Sequence, residues 1–247
     1  MTVVGSSCSI PRPARACSSY LFEAGEHAIV ADLGSGAFGK LLQFRSAESI
    51  DAIVISHMHA DHFLDVIPMR YALKYGRRTN DRRVVLYLPP EGDTMLKRLA
   101  GAFVPESPHD FIGEVFDVRT YDADSILRVG DATLRFAPTS HYIATFALRC
   151  EYGASSVTYS ADTSPDERVT ALAREANALL CEATLATEEE VDRPRGHVSA
   201  REAGLMASQA AVGRLVLTHY PHSADVVQLE ASARAEYDGP VTVADDG

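Results

Sequence analysis

Between His57 and His62 the sequence HMHADH places three imidazoles and a carboxylate in six residues, directly behind the apolar run DAIVIS. Side chains two apart on extended backbone point to one side, so His57 and His59 share a face. Asp61 and His62 follow where a helix should begin. Imidazole and carboxylate suit zinc, manganese or iron, and four of them exceed what one catalytic ion with an open position requires. The spacing therefore predicts two divalent metal ions, zinc first among them. The alternative is a polar helix cap on a wet surface.

A two-metal site needs further ligands, and three residues stand in the same setting, where an apolar run stops. His141 follows TLRFAPTS, Asp162 follows SVTYSA and His219 follows RLVLT. His197 differs, because it precedes the capping box Ser199-Ala-Arg-Glu202 and its ring is expected to face whatever sits over that helix N-terminus. A structural hydrogen bond is the competing role for it. His27, His109 and His222 lie in turn-like or polar contexts and read as structural.

These residues must be held by an alternating α/β chain. Short β-branched runs (SSYLF, HAIVAD, DAIVIS, VVLYL, ATLRF, SVTYS, ANALLC, RLVLTH) are separated by helical patterns or turns. Helices are expected over 63–75, 92–101, 164–175, 199–211 and 224–237. Pro68 should kink the first or start it late, and Ser164 with Pro165 should cap the third. Ligand-rich loops at the carboxyl ends of strands are where α/β folds build sites. The order of strands then helices occurs twice, with the second half starting near Val115. Two such halves packed sheet on sheet, helices outside, would make a four-layer αββα single domain over residues 1–247.

Composition narrows the function. An apolar content of 46% without low-complexity runs marks a folded chain. No apolar stretch approaches the roughly 18 to 20 residues that span a bilayer, and the N-terminus lacks the order of a signal peptide, so a cytoplasmic location without membrane attachment is expected. The formal charge of -11 opposes nonspecific nucleic-acid binding. GRRTNDRR, with four arginines between Arg77 and Arg83, is a solvated loop or an attractor for an anionic substrate. Cys8, Cys17, Cys150 and Cys181 are scattered, so disulfides are not expected, and Cys150 and Cys181 read as core thiols. GSSCS (residues 5–9) reads as a structural loop or a pocket wall.

The set His57, His59, Asp61, His62, His141, Asp162 and His219, with HAIVADLGSG before it, resembles the metallo-β-lactamase superfamily over nearly the whole chain. SHMHADH, YSADT, LLCEAT, GHVSAREAG and LVLTHY are most similar to the tRNase Z branch and its smaller relatives, among them the bacterial cyclic-nucleotide phosphodiesterases. The resemblance implies an αββα sandwich with two metals at one edge: His57, His59 and His141 on the first, Asp61, His62 and His219 on the second, Asp162 between them. His197 falls on the family's additional histidine, which is expected to meet the scissile phosphate or leaving group. The resemblance also suggests a homodimer, with no interface legible in the sequence.

Two cations roughly 3.5 to 4 Å apart can share a water, lower its pKa and hold a phosphodiester for in-line attack by the bridging hydroxide. Asp61 would orient that hydroxide, and protonated His197 would stabilise developing charge or protonate the departing oxygen. Asp32 and Glu182 are candidates to fix imidazoles or to cap turns. Enzymes resembling tRNase Z carry a long tRNA-gripping arm between the residues matching His141 and Asp162, where this chain has 20 residues. With the acidic charge, that favours a small phosphodiester, a cyclic nucleotide foremost, over 3′ processing of tRNA. Phe63, Tyr142 and Tyr220 are candidates to stack its base, or are packing. A thioesterase or lactamase of the same fold, and a metal-binding protein without turnover, are further alternatives.

Overall fold

A computed structural model describes residues 1–77, 79–186 and 195–247. Period-two burial organises it. In the strand His27–Ala31, Ala28 and Val30 face one apolar cluster while Ile29 and Ala31 face another. Leu179 and Cys181 oppose Leu180 in the same way in Ala178–Glu182. Strands apolar on both faces must be covered on both.

The first sheet has six strands in sequence order: β1 (Thr2–Gly5), β2 (Ser19–Ala24), β3 (His27–Ala31), β4 (Ala52–Val54), β5 (Val84–Leu88) and β6 (Phe116–Thr120). Strands β3 to β6 are parallel. The second sheet has seven: β7 (Ile126–Val129), β8 (Ala132–Pro138), β9 (Phe146–Tyr152), β10 (Ser155–Tyr159), β11 (Ala178–Glu182), β12 (Leu215–Thr218) and β13 (Val241–Val243), again in sequence order, with β10 to β13 parallel. The second half begins after Thr120 rather than near Val115, because β6 completes the first sheet.

Between the sheets lies one cluster containing Phe22, Ile29 and Val54 from the first and Leu134, Phe136, Leu148 and Leu180 from the second. Helices α1 (Ala37–Leu41), α2 (Ala60–Phe63), α3 (Val66–Tyr75), α4 (Gly92–Gly101) and α5 (Pro108–Gly113) contribute to the cluster outside the first sheet. Helices α6 (Glu167–Leu172), α7 (Ala200–Gln209) and α8 (Val226–Arg234) cover the second. The four layers are those of an αββα sandwich.

Local chemistry explains the boundaries. Pro68 sits in the first turn of α3, where its missing N–H has no intrahelical duty. The cap of α6 is Asp166, whose carboxylate accepts from Arg168 N, rather than Ser164. The capping box on α7 forms in both directions. Helices α1 and α5 and strands β1, β6, β7 and β13 are short or weakly patterned and lie outside the elements the sequence predicts.

Candidate metal centre

The carboxyl ends of four strands, three of them in parallel pairings and β8 antiparallel, carry the polar residues. His57, His59, Asp61 and His62 follow β4, His141 follows β8, Asp162 follows β10 and His219 follows β12. Backbone there is strained, since Asp32, Ala161 and His219 all have positive φ (58°, 51° and 49°) without being glycine. Such conformations cost about 1–3 kcal/mol each and persist where surrounding structure over-determines them.

The side chains converge in two groups, which Asp162, His197 and His219 overlap as a third. Ligand atoms of His57, His59, His141 and Asp162 lie within 4.8 Å of one another, as do those of Asp61, His62 and His219. In the first, His59 Nδ1 is 3.1 Å from both His57 Nε2 and His141 Nε2, and Asp162 Oδ2 is 3.7 and 3.8 Å from those two Nε2 atoms. In the second, His62 Nε2 is 3.5 Å from Asp61 Oδ2, and His219 Nε2 is 3.9 Å from it. Asp162 faces this group too, Oδ1 3.4 Å from His62 Nε2 and Oδ2 3.4 Å from His219 Nε2.

Tetrahedral zinc with bonds of about 2.0–2.1 Å sets its ligands about 3.4 Å apart, so the spacing fits a cation. A second observation agrees: His62 Nε2 and Asp162 Oδ1 are buried without a hydrogen-bond partner. Buried polar atoms are in general paired, and these two face each other across the cluster at 3.4 Å.

The remaining ring nitrogens are held. His62 Nδ1 is 2.8 Å from Asp32 Oδ2, which also accepts from Ser56 Oγ and Tyr159 Oη at 2.8 Å each. His57 Nδ1 meets Ser56 Oγ at 3.0 Å, His219 Nδ1 meets Ser18 Oγ at 2.7 Å, and His141 Nδ1 meets the Gly196 carbonyl at 2.8 Å. These bonds fix ring orientation. Burial depresses the pKa of His57, His59 and His141, and lowers His219 to about 4. Neutral imidazoles offer lone pairs without competition from protons. Burial also opposes charge on His62, but Asp162 and Asp32 outweigh it and raise its pKa. Asp61 is held at about 2, its burial outweighed by His62 and His219.

His197 stands beside this cluster, its ring centroid 5.0 Å from that of His141. Its Nδ1 is 2.9 Å from Oε1 of fully buried Glu182 and 3.9 Å from Asp162 Oδ2. Glu182 also accepts the Thr163 N–H at 2.7 Å, so this carboxylate serves His197 rather than a turn alone. Burial disfavours charge on His197, yet Glu182 prevails and raises its pKa.

Other candidates separate. Phe63 and Tyr220 are buried and Tyr142 is exposed. Arg82 pairs with Asp51, and Arg83 donates to the Gly113 carbonyl. Both lie at the amino ends of β4 and β5, opposite the cluster, which makes them part of a structural surface; Arg78 lies outside the described residues. Ser6 donates to Asp246 and Ser7 accepts from Arg12, a structural use of GSSCS. All four cysteines are free, Cys150 and Cys181 in the core. His27, His109 and His222 join no ligand group among the described residues. Sequence reasoning missed Ser18, Ser56, Tyr159 and Gly196. Ser56, Tyr159 and Gly196 carry a signal, lying within SHMHADH, YSADT and GHVSAREAG, and Ser18 carries none.

A β-lactamase superfamily domain matches residues 27–220, and the chain belongs to that superfamily. It is 30% identical over 256 residues to the probable metallo-hydrolase YhfI of Bacillus subtilis (strain 168), covering 100% of this chain and 97% of YhfI. The crystal structure of YhfI, a metallo-β-lactamase fold protein, matches with a TM-score of 0.88 at 28% identity, over 100% of this chain and 96% of that one. Ribonuclease Z of Mycobacterium bovis (strain BCG / Pasteur 1173P2) is 27% identical over 269 residues, covering 100% and 95%. Human tRNase Z, short form, shares the fold with a TM-score of 0.76 at 20% identity, over 99% and 96%. With its His/Asp cluster, which has the donor set and spacing to hold divalent metal, the chain is a metallo-hydrolase of this fold.

Proposed function

We propose that the chain is a dinuclear phosphodiesterase acting on a small phosphodiester such as a cyclic nucleotide, with zinc as its metal. The observation that carries this reading is Asp162, whose carboxylate oxygens lie within 3.4–3.8 Å of ligand atoms in both groups. His57, His59 and His141 would hold one ion, Asp61, His62 and His219 the other, and Asp162 both. When bound, two such ions supply Lewis acidity toward phosphoryl oxygens and a nucleophile from water near neutral pH.

The protein's own groups do the rest. Asp61, kept ionised and partly accessible, accepts a hydrogen bond from the attacking water and orients it. His197, its pKa raised by Glu182 at Nδ1, presents Nε2 as the donor to the departing oxygen. No serine or cysteine nucleophile is required.

The substrate argument rests on what lies between His141 and Asp162. Strands β9 and β10 are joined there by the two residues Gly153 and Ala154, leaving no protruding arm. The net charge of -11 also disfavours a polyanion. The likeness to ribonuclease Z favours a second reading, 3′ processing of tRNA.

The deciding experiment is hydrolysis by zinc-reconstituted protein of cyclic AMP, bis(p-nitrophenyl) phosphate and a precursor tRNA at physiological salt. Turnover of the small diesters, abolished in a folded Asp61→Ala variant, is expected. Cleavage of precursor tRNA without turnover of either small diester would establish the second reading instead.

A further inference from the structure

Resting on the phosphodiesterase reading, we propose that Tyr142 is a stacking shelf for the planar base of a nucleotide substrate. Three aromatic residues adjoin ligand positions, and packing removes two of them. Phe63 is 5% exposed inside the helix-side core. Tyr220 is 1% exposed, and its hydroxyl donates to the Ala244 carbonyl at 2.7 Å. Tyr142 is 54% exposed, and its ring centroid lies 4.9 Å from that of His141 and 5.9 Å from that of His197.

Exposure alone would leave the ring free to wander, but Gly196 holds it. A Cβ on Gly196 would come within 2.7 Å of Tyr142 Cε2 and 2.8 Å of Cζ, so the ring packs directly on this backbone. The same residue accepts the His141 Nδ1 bond at 2.8 Å and precedes His197. One backbone segment thus sets the ring, a metal-ligand candidate and the proton donor relative to one another. A rigid aromatic surface with little side-chain entropy to lose is what base stacking uses.

The chemistry of the surroundings selects the occupant. A diester's phosphate is drawn to the cation cluster, and the part of the substrate beyond it meets the Tyr142 ring. Among the described residues of the adjoining loops, Arg168 pairs with Asp166, Arg195 with Glu202, and Arg15 with Asp245 and Tyr220. With those guanidiniums paired, the ring offers an uncharged planar base its π-face.

The chain contains no tryptophan, so Tyr142→Trp places a sole indole on the shelf. Titrating AMP into the zinc-loaded Tyr142→Trp protein is expected to quench its fluorescence saturably, and ribose 5-phosphate is expected not to. Absence of quenching by AMP, or equal quenching by ribose 5-phosphate, overturns the shelf. In turnover, Tyr142→Leu should lower the ratio of kcat/KM for cyclic AMP over base-free ribose cyclic phosphate by about tenfold, through KM, with Tyr142→Phe restoring it. An unchanged ratio overturns the shelf while the phosphodiesterase reading stands. Saturable quenching in a protein that hydrolyses no diester overturns that reading and keeps the shelf as a nucleotide site.

Discussion

At the scale of the residue, Asp32 is the most heavily used side chain outside the ligand set. Fully buried, it accepts from Ser56 N at 2.6 Å and Ser56 Oγ, Tyr159 Oη and His62 Nδ1 at 2.8 Å each. Removing it leaves three side chains in the interior without their partner, and frees His62 to rotate. Asp32→Ala is expected to weaken metal binding by about 10–100-fold. Competition against a chromogenic chelator measures this directly, and wild-type affinity would reduce Asp32 to a packing residue.

At the scale of the element, short helix α2 must be pressed against the loop 32–36. Leu33 N donates to the His62 carbonyl at 2.7 Å, and a Cβ on Gly34 would lie 1.8 Å from the Asp61 carbonyl oxygen. Only glycine permits that approach, so Gly34→Ala has to displace α2 with Asp61 and His62. The expected result is fewer metal ions per chain in a protein that still folds, read by elemental analysis; full stoichiometry would show that α2 shifts without cost to the site. Helix α7 offers a contrasting test. Its capping box joins Ser199 and Glu202, and Ser199→Ala should cost about 1 kcal/mol in urea unfolding.

At the scale of the whole molecule, the buried cluster couples stability to pH. His57, His59, His141 and His219 have folded pKa values below the usual 6.5, His219 at about 4. Unfolded, each takes a proton near 6.5. The unfolded state therefore binds more protons as pH falls from 6.5 toward 4, and stability is lost over that window. His62, raised above 6.5, is protonated in both states there and adds no slope. Glu182, pushed up to about 7 by burial, and Asp65, raised likewise, oppose by at most one proton each. Metal-free protein should show a lower urea midpoint at pH 5 than at pH 7; a higher one would mean that the imidazoles are charged in the folded state. The core between the sheets is equally global. Leu180→Ala empties a site facing it and should cost about 2–5 kcal/mol.

Much of this protein was legible as local pattern. HMHADH, the strand-end positions of His141, Asp162 and His219, the period-two strands and the α7 capping box are properties of a few neighbouring residues. They sufficed for the α/β architecture and for the ligand candidates. The tertiary structure decided which groups complete the centre. Tyr159 reaches Asp32 across 127 residues, and Ser18 meets His219 across 201. It also decided that Phe63 and Tyr220 are packing while Tyr142 stays exposed on Gly196, and that the arginines near residue 80 face away from the cluster. The physical reason is that residue type and periodicity are written within one element. Burial and hydrogen-bond partners exist only once the two sheets have closed on each other.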